Sequence, residues 1–309
     1  MKVLVTGGSG FIGSHLVDGL IEAGHNVLVI DHHERERRRF LHPEAQYHKM
    51  TFASRGATDV LQKERPDAVC HLAAQISVTR SVADPIFDAE RNVFDSVKLL
   101  EEARKAGCEH FLFASSGGAI YGDHPVRPTP EIMGAKPISP YGVSKQAFEH
   151  YLAGVGDMRC ASLRMSNVYG PRQSSKGEAS VIAIFIDRLL AAEPVQIYGD
   201  GSSTRDYLFA PDAVRAFLAA LESDVSGTFN VSSGQETSLL DLWETLRGVH
   251  GEEHPMKHAP ARVGEVQRSV LDPSSARETF GWEPQVSLRD GLQKTYDWYK
   301  EGYGKVESE

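Results

Sequence analysis

The sequence predicts an α/β fold: a doubly wound parallel sheet, followed by a smaller α/β substrate-binding domain. Two observations carry this reading. Short continuous apolar runs alternate with helical periodicity through the first hundred residues, the rhythm of βαβ units. A glycine-rich turn also joins the first run directly to the first helical stretch. Residues 3–6 are apolar without alternation, which marks a strand covered on both faces. Over residues 11–23, Ile12, Leu16, Leu20 and Ile21 recur at helical spacing, and Gly24 can end that helix. The next strand is 27–30, ending at Asp31; further strands read at 68–71 and 111–114, with one long helix over 87–105 between them. Beyond about residue 170 Gly, Ser and Pro become frequent, although 181–192 and 239–246 still read as helices. We divide the chain into residues 1–170 and a mainly substrate-binding part, 171–309, from which about 196–232 partly returns to the first sheet. The charged run at 33–39 reads as a solvated helix start.

Composition narrows the function. Of the 309 residues, 41% are hydrophobic and 24% charged, which excludes wholesale disorder. A net charge of −9 provides no basic field for nucleic acid or an anionic membrane. The longest apolar stretch, at 181–186, is far shorter than the ~20 residues of a membrane helix, and no signal-peptide pattern opens the chain. Cys70, Cys108 and Cys160 are too few and too scattered for a disulfide framework or a zinc ribbon. They read as small buried apolar residues of a cytoplasmic protein. No metal is expected: His250 and His254 straddle Gly251 and precede Pro255, a loop pattern, and His71 reads as a hydrogen-bonded core residue.

The turn GGSGFIG at 7–13 carries the first chemistry. Gly7 permits a tight turn, Gly10 a close backbone approach to a pyrophosphate, and Gly13 close helix–strand packing. The amides of Phe11 and Ile12, at a helix N-terminus, then face the phosphates. Asp31 ends the second strand 18 residues after Gly13, placed to accept the adenosine ribose hydroxyls and to repel a 2′-phosphate. This is the Rossmann arrangement, and it favours NAD over NADP. Arg35, Arg37, Arg38 and Arg39 are the opposing hint, but they begin four residues beyond the strand end. YGVSK at 141–145 carries the second. Tyr141 and Lys145 lie one helical turn apart. A phenol that titrates at about 10 is a poor base at neutral pH; a fixed ammonium beside it stabilises the phenolate.

Together these features resemble the extended short-chain dehydrogenase/reductase family, in particular nucleotide-sugar epimerases of the UDP-glucose 4-epimerase type. HLAAQISV at 71–78 is similar to the family segment that passes over the cofactor, bringing Leu72, Ala73 and Ala74 to it, and Asn92 matches a cofactor-side asparagine. SSGGAIYG at 115–122 resembles the segment carrying a catalytic hydroxyl. Many relatives have a third Ser and a Thr where this chain has Gly117 and Ala119, so the role passes to Ser116 or Ser115, with Ser116 favoured. SNVYGPR at 166–172 implies that Asn167 reaches the sugar nucleotide; the segments at 200–212 and 261–265 imply Arg205, Arg262 and Glu265 at the substrate. Counting onward places Ser269 beside the sugar's carbon 2 substituent, at the start of a strand over 270–272. The resemblance departs at Lys49-Met50-Thr51, where relatives carry an Asp for the adenine amino group; Asp59 lies too far along to replace it.

The resemblance implies a 4-epimerase of UDP-hexoses that cycles through a 4-keto sugar with NAD retained. It also implies a homodimer through helices near 90–105 and 142–153. Sugar-nucleotide dehydratases and decarboxylases carry acids near positions occupied here by Gly117, Gly118 and Ala119. A UDP-glucuronate 4-epimerase differs only in its carbon 6 group. A non-catalytic dinucleotide sensor would be expected to lack Tyr141 or Lys145, and both are present.

Overall fold

The computed structural model describes residues 1–32, 40–176, 180–261 and 266–302. Six strands open the fold: β1 (Lys2–Thr6), β2 (Asn26–Asp31), β3 (Gln46–Lys49), β4 (Ala68–His71), β5 (His110–Ser116) and β6 (Arg159–Met165). With the strand Gly227–Val231 they form one seven-stranded sheet. Its order is Gly227–Val231, β6, β5, β4, β1, β2, β3, and every pairing is parallel. The chain therefore leaves β1 to build outward through β2 and β3, then returns to the other side of β1 with β4. The crevice between the carboxyl ends of β1 and β4 is the switch point at which such sheets bind ligands.

Alternation along the strands feeds two cores. Val3, Val5 and Leu112 face α1 (Phe11–Glu22) and the helix Ala210–Glu222. Leu4, Phe111 and Phe113 face α2 (Arg55–Glu64), α5 (Asp95–Ala106) and α7 (Pro140–Ala153). A Cβ at Gly19 would lie 2.8 Å from Val214 Cγ1, so that glycine lets α1 press against the helix Ala210–Glu222. A third core gathers Tyr169, Phe185, Trp243, Leu246, Leu292 and Tyr296 in the later part of the chain.

Several expectations change in detail. The single helix expected over 87–105 is three pieces: α4 (Pro85–Ala89), a π-helical turn (Glu90–Phe94) and α5. Residues 270–272 form no strand; Leu271 makes one isolated bridge to Thr129. The second late helix runs longer than expected, Leu239–His250, so His250 is its last residue and only the turn beyond Gly251 is irregular. The charged run at 33–39 lies outside the described residues. All three cysteines are free and buried, and among the described residues no helix is long and apolar enough to cross a membrane.

Asp206 ties the late segments to the sheet. It is fully buried and accepts from Ser233 N (2.9 Å), Ser233 Oγ (2.7 Å), Gly234 N (3.2 Å) and Leu271 N (3.3 Å). Asp206→Ala strands these four donors, that of Leu271 fully buried, and is expected to cost on the order of 3 kcal/mol. The exposed Asp200→Ala should stay within about 0.5 kcal/mol of the parent. Thermal unfolding of both variants checks the contrast; equal midpoints would show that Asp206 is not the tie.

Candidate active site

Gly7 leaves β1 with φ +73°, and its N–H donates to Ile30 O at 3.0 Å. A Cβ here would lie 2.8 Å from Ala73 N and 3.0 Å from Ala73 Cα; at Gly13 it would lie 2.1 Å from Gly7 O. Backbone meets backbone at both positions, so no side chain fits. Gly10 caps α1 without a side-chain acceptor, and the N–H groups of Phe11, Ile12 and Gly13 have no partner within the helix. These amides and the positive end of α1 suit a pyrophosphate. Asp31 is 5% exposed at the end of β2. It accepts from Ser9 N (3.1 Å), Ser9 Oγ (2.7 Å) and His32 N (2.7 Å), which fixes the carboxylate beside the glycine turn. The residues present therefore fit a dinucleotide.

Leu72, Ala73 and Ala74 run past this turn, with Leu72 N on Thr6 O (3.1 Å) and Ala73 N on Thr6 Oγ1 (3.3 Å). His71 is buried and spans Thr6 Oγ1 (2.7 Å) and Ser96 Oγ (3.0 Å). Burial holds its pKa down at about 3, so it is a neutral core residue. Asn92 is buried in the π-helical turn. Its Nδ2 donates to Gln75 O (2.8 Å) and Asp88 Oδ1 (3.0 Å), and its Oδ1 accepts from Gln75 N (2.8 Å). Both amide hydrogens of Asn92 are thus given to protein groups, and its oxygen, which can accept twice, holds the loop after β4. A π-turn adds a residue to the helix and is common at functional sites.

Ser139 caps α7 by accepting from Gly142 N (3.2 Å), and Pro140 occupies its first turn. A Cβ at Gly142 would stand 2.4 Å from Ala119 O, so the glycine after Tyr141 lets α7 meet the short helix Gly117–Ile120 that follows β5. Lys145 is 3% exposed; its Nζ donates to Ala114 O at 2.9 Å and stands 5.7 Å from the centroid of the Tyr141 ring. Burial pushes the Lys145 pKa down to about 8, against the support of Glu149 and Asp88. Burial pushes the Tyr141 phenol well above its usual range; the Asp88 charge adds to this and a hydrogen bond with Ser116 opposes it.

The two serines face different partners. Ser115 Oγ donates to Glu149 Oε1 at 2.5 Å, and Glu149 also accepts from Arg164 Nη2 at 2.6 Å, all within the core. Ser116 acts on the Tyr141 phenol, drawing its pKa down against burial. A Cβ at Gly117 would lie 2.4 Å from Leu271 Cδ1, so Leu271 fills the space that a third serine would need. Asn167 is exposed, with its Oδ1 3.7 Å from where a Gly118 Cβ would stand. Arg205 is half-buried in the two-residue strand Thr204–Arg205, with Nη1 on Thr204 O (2.8 Å). Ser269 is buried beside Val270, whose carbonyl accepts from Thr129 N (3.0 Å). Arg262 and Glu265 lie outside the described residues. Asp88, Gln75 and Ser144 went unnoticed in the sequence; the available signal was Asp88 four residues before Asn92, one turn away. Among the described residues no three His, Cys, Asp or Glu could hold a metal. His250 bonds Tyr296 Oη (2.8 Å) and His254 bonds Glu193 O (2.7 Å).

Residues 3–232 match the model of the NAD dependent epimerase/dehydratase family. The chain belongs to that family. Similar members include the UDP-glucose 4-epimerase of Mycolicibacterium smegmatis, 44% identical over 97% of this chain and 99% of its own length. The crystal structure of the Thermotoga maritima UDP-glucose 4-epimerase with UDP-glucose superposes with TM-score 0.92 at 42% identity, covering 97% of this chain and 99% of that one. The Thermus thermophilus UDP-glucose 4-epimerase in complex with NAD gives TM-score 0.91 at 38% identity, over 98% and 100%. Membership agrees with the glycine turn and with a cofactor of the NAD type.

If Asp31 faces the adenosine ribose, Asp31→Ala removes an acceptor for its hydroxyls and a charge opposing a 2′-phosphate. NAD should bind more weakly and NADP should gain relative to it; dissociation constants for both check this. An unchanged ratio would mean that Asp31 does not face the ribose.

Proposed function

We propose that this protein is an NAD-dependent 4-epimerase of UDP-hexoses. The observation that carries the reading is the group of half-buried Tyr141 and Ser116 with buried Lys145 at the carboxyl end of β5, with no acid nearby at 117–119. Dehydration needs a proton donor at those positions, and Gly117 is also closed by Leu271. The full-length likeness to UDP-glucose 4-epimerases supports the same choice.

NAD, when bound, supplies the acceptor for the hydride of sugar carbon 4 and gives it back. The chain's own residues handle the proton. Tyr141 takes it from the 4-hydroxyl and returns it after the sugar has turned, so no net redox change results. Ser116 orients that oxygen. A phenolate in a site this dry needs a cation, and Lys145 is the one within the site. Asn167 and Arg205, with Arg262 and Glu265, would hold the sugar nucleotide; Ser269 would leave room for a carbon 2 substituent.

We also propose a homodimer. Val82, Ile86, Phe94, Val143 and Tyr151 are 64%, 72%, 72%, 53% and 53% exposed, on α3 (Val78–Ala83), α4, the π-turn and α7. A patch of this kind on adjoining helices suits a second copy of itself across a two-fold axis. Light scattering should give twice 34.0 kDa; a monomer at micromolar concentration would contradict it. The free, buried cysteines suit the cytoplasm.

A panel of UDP-glucose and UDP-N-acetylglucosamine, read by chromatography without added cofactor, tests the function. Both should be epimerised. Tyr141→Phe should lose at least about 100-fold while keeping NAD. Ser269→Tyr overfills the pocket, a change that costs ~1–3 kcal/mol; it should lose the N-acetyl sugar selectively, by about 5- to 150-fold. Near-normal activity of Tyr141→Phe would overturn the base. Equal loss of both sugars would remove Ser269 from the pocket.

A further inference from the structure

We infer that Asp88 is a positioning residue of this reaction: its carboxylate locks the loop after β4 to α7 and adds a counter-charge, beside that of Glu149, for the Lys145 ammonium. The inference rests on Tyr141 as the base.

Asp88 is fully buried in α4. Its Oδ1 accepts from Gln75 Nε2 (2.8 Å) and Asn92 Nδ2 (3.0 Å), and its Oδ2 accepts from Ser144 Oγ (2.7 Å). The three donors come from the loop that passes the glycine turn, from the π-helical turn and from the catalytic helix. One carboxylate thus joins the cofactor cradle to α7, where Ser144 lies between Tyr141 and Lys145. Three donated hydrogen bonds match the ionised, acceptor-only form. Among the described residues no Lys, Arg or His stands within ion-pair distance of it, so its charge is balanced at longer range.

Lys145 is the cation available for that balance. The groups that act on Lys145 come from several elements. His71 of β4 is neutral. Glu149 of α7 is already paired with Arg164 of β6, both of them buried. Asp88 of α4 makes no ion pair among the described residues; its Oδ2 is bonded to Ser144, the residue before Lys145, and its charge, after that of Glu149, acts on Lys145 and also on Tyr141. Its charge supports the ammonium and opposes the phenolate. Neutralising it makes both groups give up protons more easily, so both limbs of the rate profile must move in the same direction, to lower pH. A merely structural role would lower the height of the profile and leave its limbs in place.

Asp88→Asn can keep every contact: its carbonyl takes the place of Oδ1, and its amide donates to a rotated Ser144 hydroxyl. The test is kcat/KM for UDP-glucose against pH in the parent, Asp88→Asn, Ser144→Ala and Tyr141→Phe, with folding read by circular dichroism and NAD binding. Asp88→Asn should shift both limbs about one pH unit toward acid, the scale on which a nearby buried charge acts. That is about tenfold less activity on the alkaline limb at fixed pH. Ser144→Ala, which keeps the charge, should hold the parental limbs. Should Asp88→Asn not fold, Asp88→Ser, smaller and equally neutral, carries the same expectation. A lowered profile with unmoved limbs would overturn the role of Asp88 and leave the base intact. Parental activity of Tyr141→Phe would instead overturn the base beneath it.

Discussion

The catalytic end of this sheet depends on how closely Gly7 lets two strand exits approach. The backbone of Ala73 stands where a side chain at residue 7 would begin, and the carbonyl of Gly7 stands where one at residue 13 would. With both positions bare, the first turn of α1 sits directly over the crevice between β1 and β4. Its unpaired amides then point at the place where the parallel sheet already concentrates its ligands. Asp31 is held to the same turn through Ser9, so its carboxylate moves with the glycine turn. A larger residue at Gly7 would push the two strand exits apart, and the loop after β4 with them; one at Gly13 would push α1 off the glycine turn.

The second constraint is charge in a dry place. Lys145 and Tyr141 are both displaced by burial, the lysine toward neutrality and the phenol away from ionisation. Neither shift favours chemistry alone. Catalysis needs the ammonium kept and the phenolate reached, which is a matter of where the neighbouring charges stand. The chain separates its carboxylates accordingly: Glu149 is committed to Arg164 and Ser115, while Asp88 is held only by neutral donors. Carboxylates behind the Tyr141–Ser116 pair therefore help set the electrostatics of the base.

The parts of the site that were legible in the sequence are those where geometry admits few residue types. Glycines at a backbone crossing, an acid at a strand end and a Tyr and Lys one turn apart each leave such a trace. The sequence favours Ser116 over Ser115 without deciding between them, because neighbours on a strand point to opposite faces and the sequence does not give the register. Ser115 follows Phe111 and Phe113 inward and meets Glu149. The π-turn escaped because one added residue barely disturbs helical periodicity. Asp88 resembled an ordinary surface charge on an amphipathic helix. The closure of Gly117 by Leu271 joins positions too far apart in sequence for any local pattern to report.

The central claim is that the proton passes through Tyr141 while the carbon 4 hydrogen leaves as hydride and returns from a retained cofactor. UDP-glucose deuterated at carbon 4, converted in ordinary water without added NAD and followed by NMR, tests it most directly. The UDP-galactose formed should keep the deuterium at carbon 4. Replacement of that deuterium by solvent hydrogen would mean that carbon 4 is inverted by proton abstraction, and would contradict the mechanism.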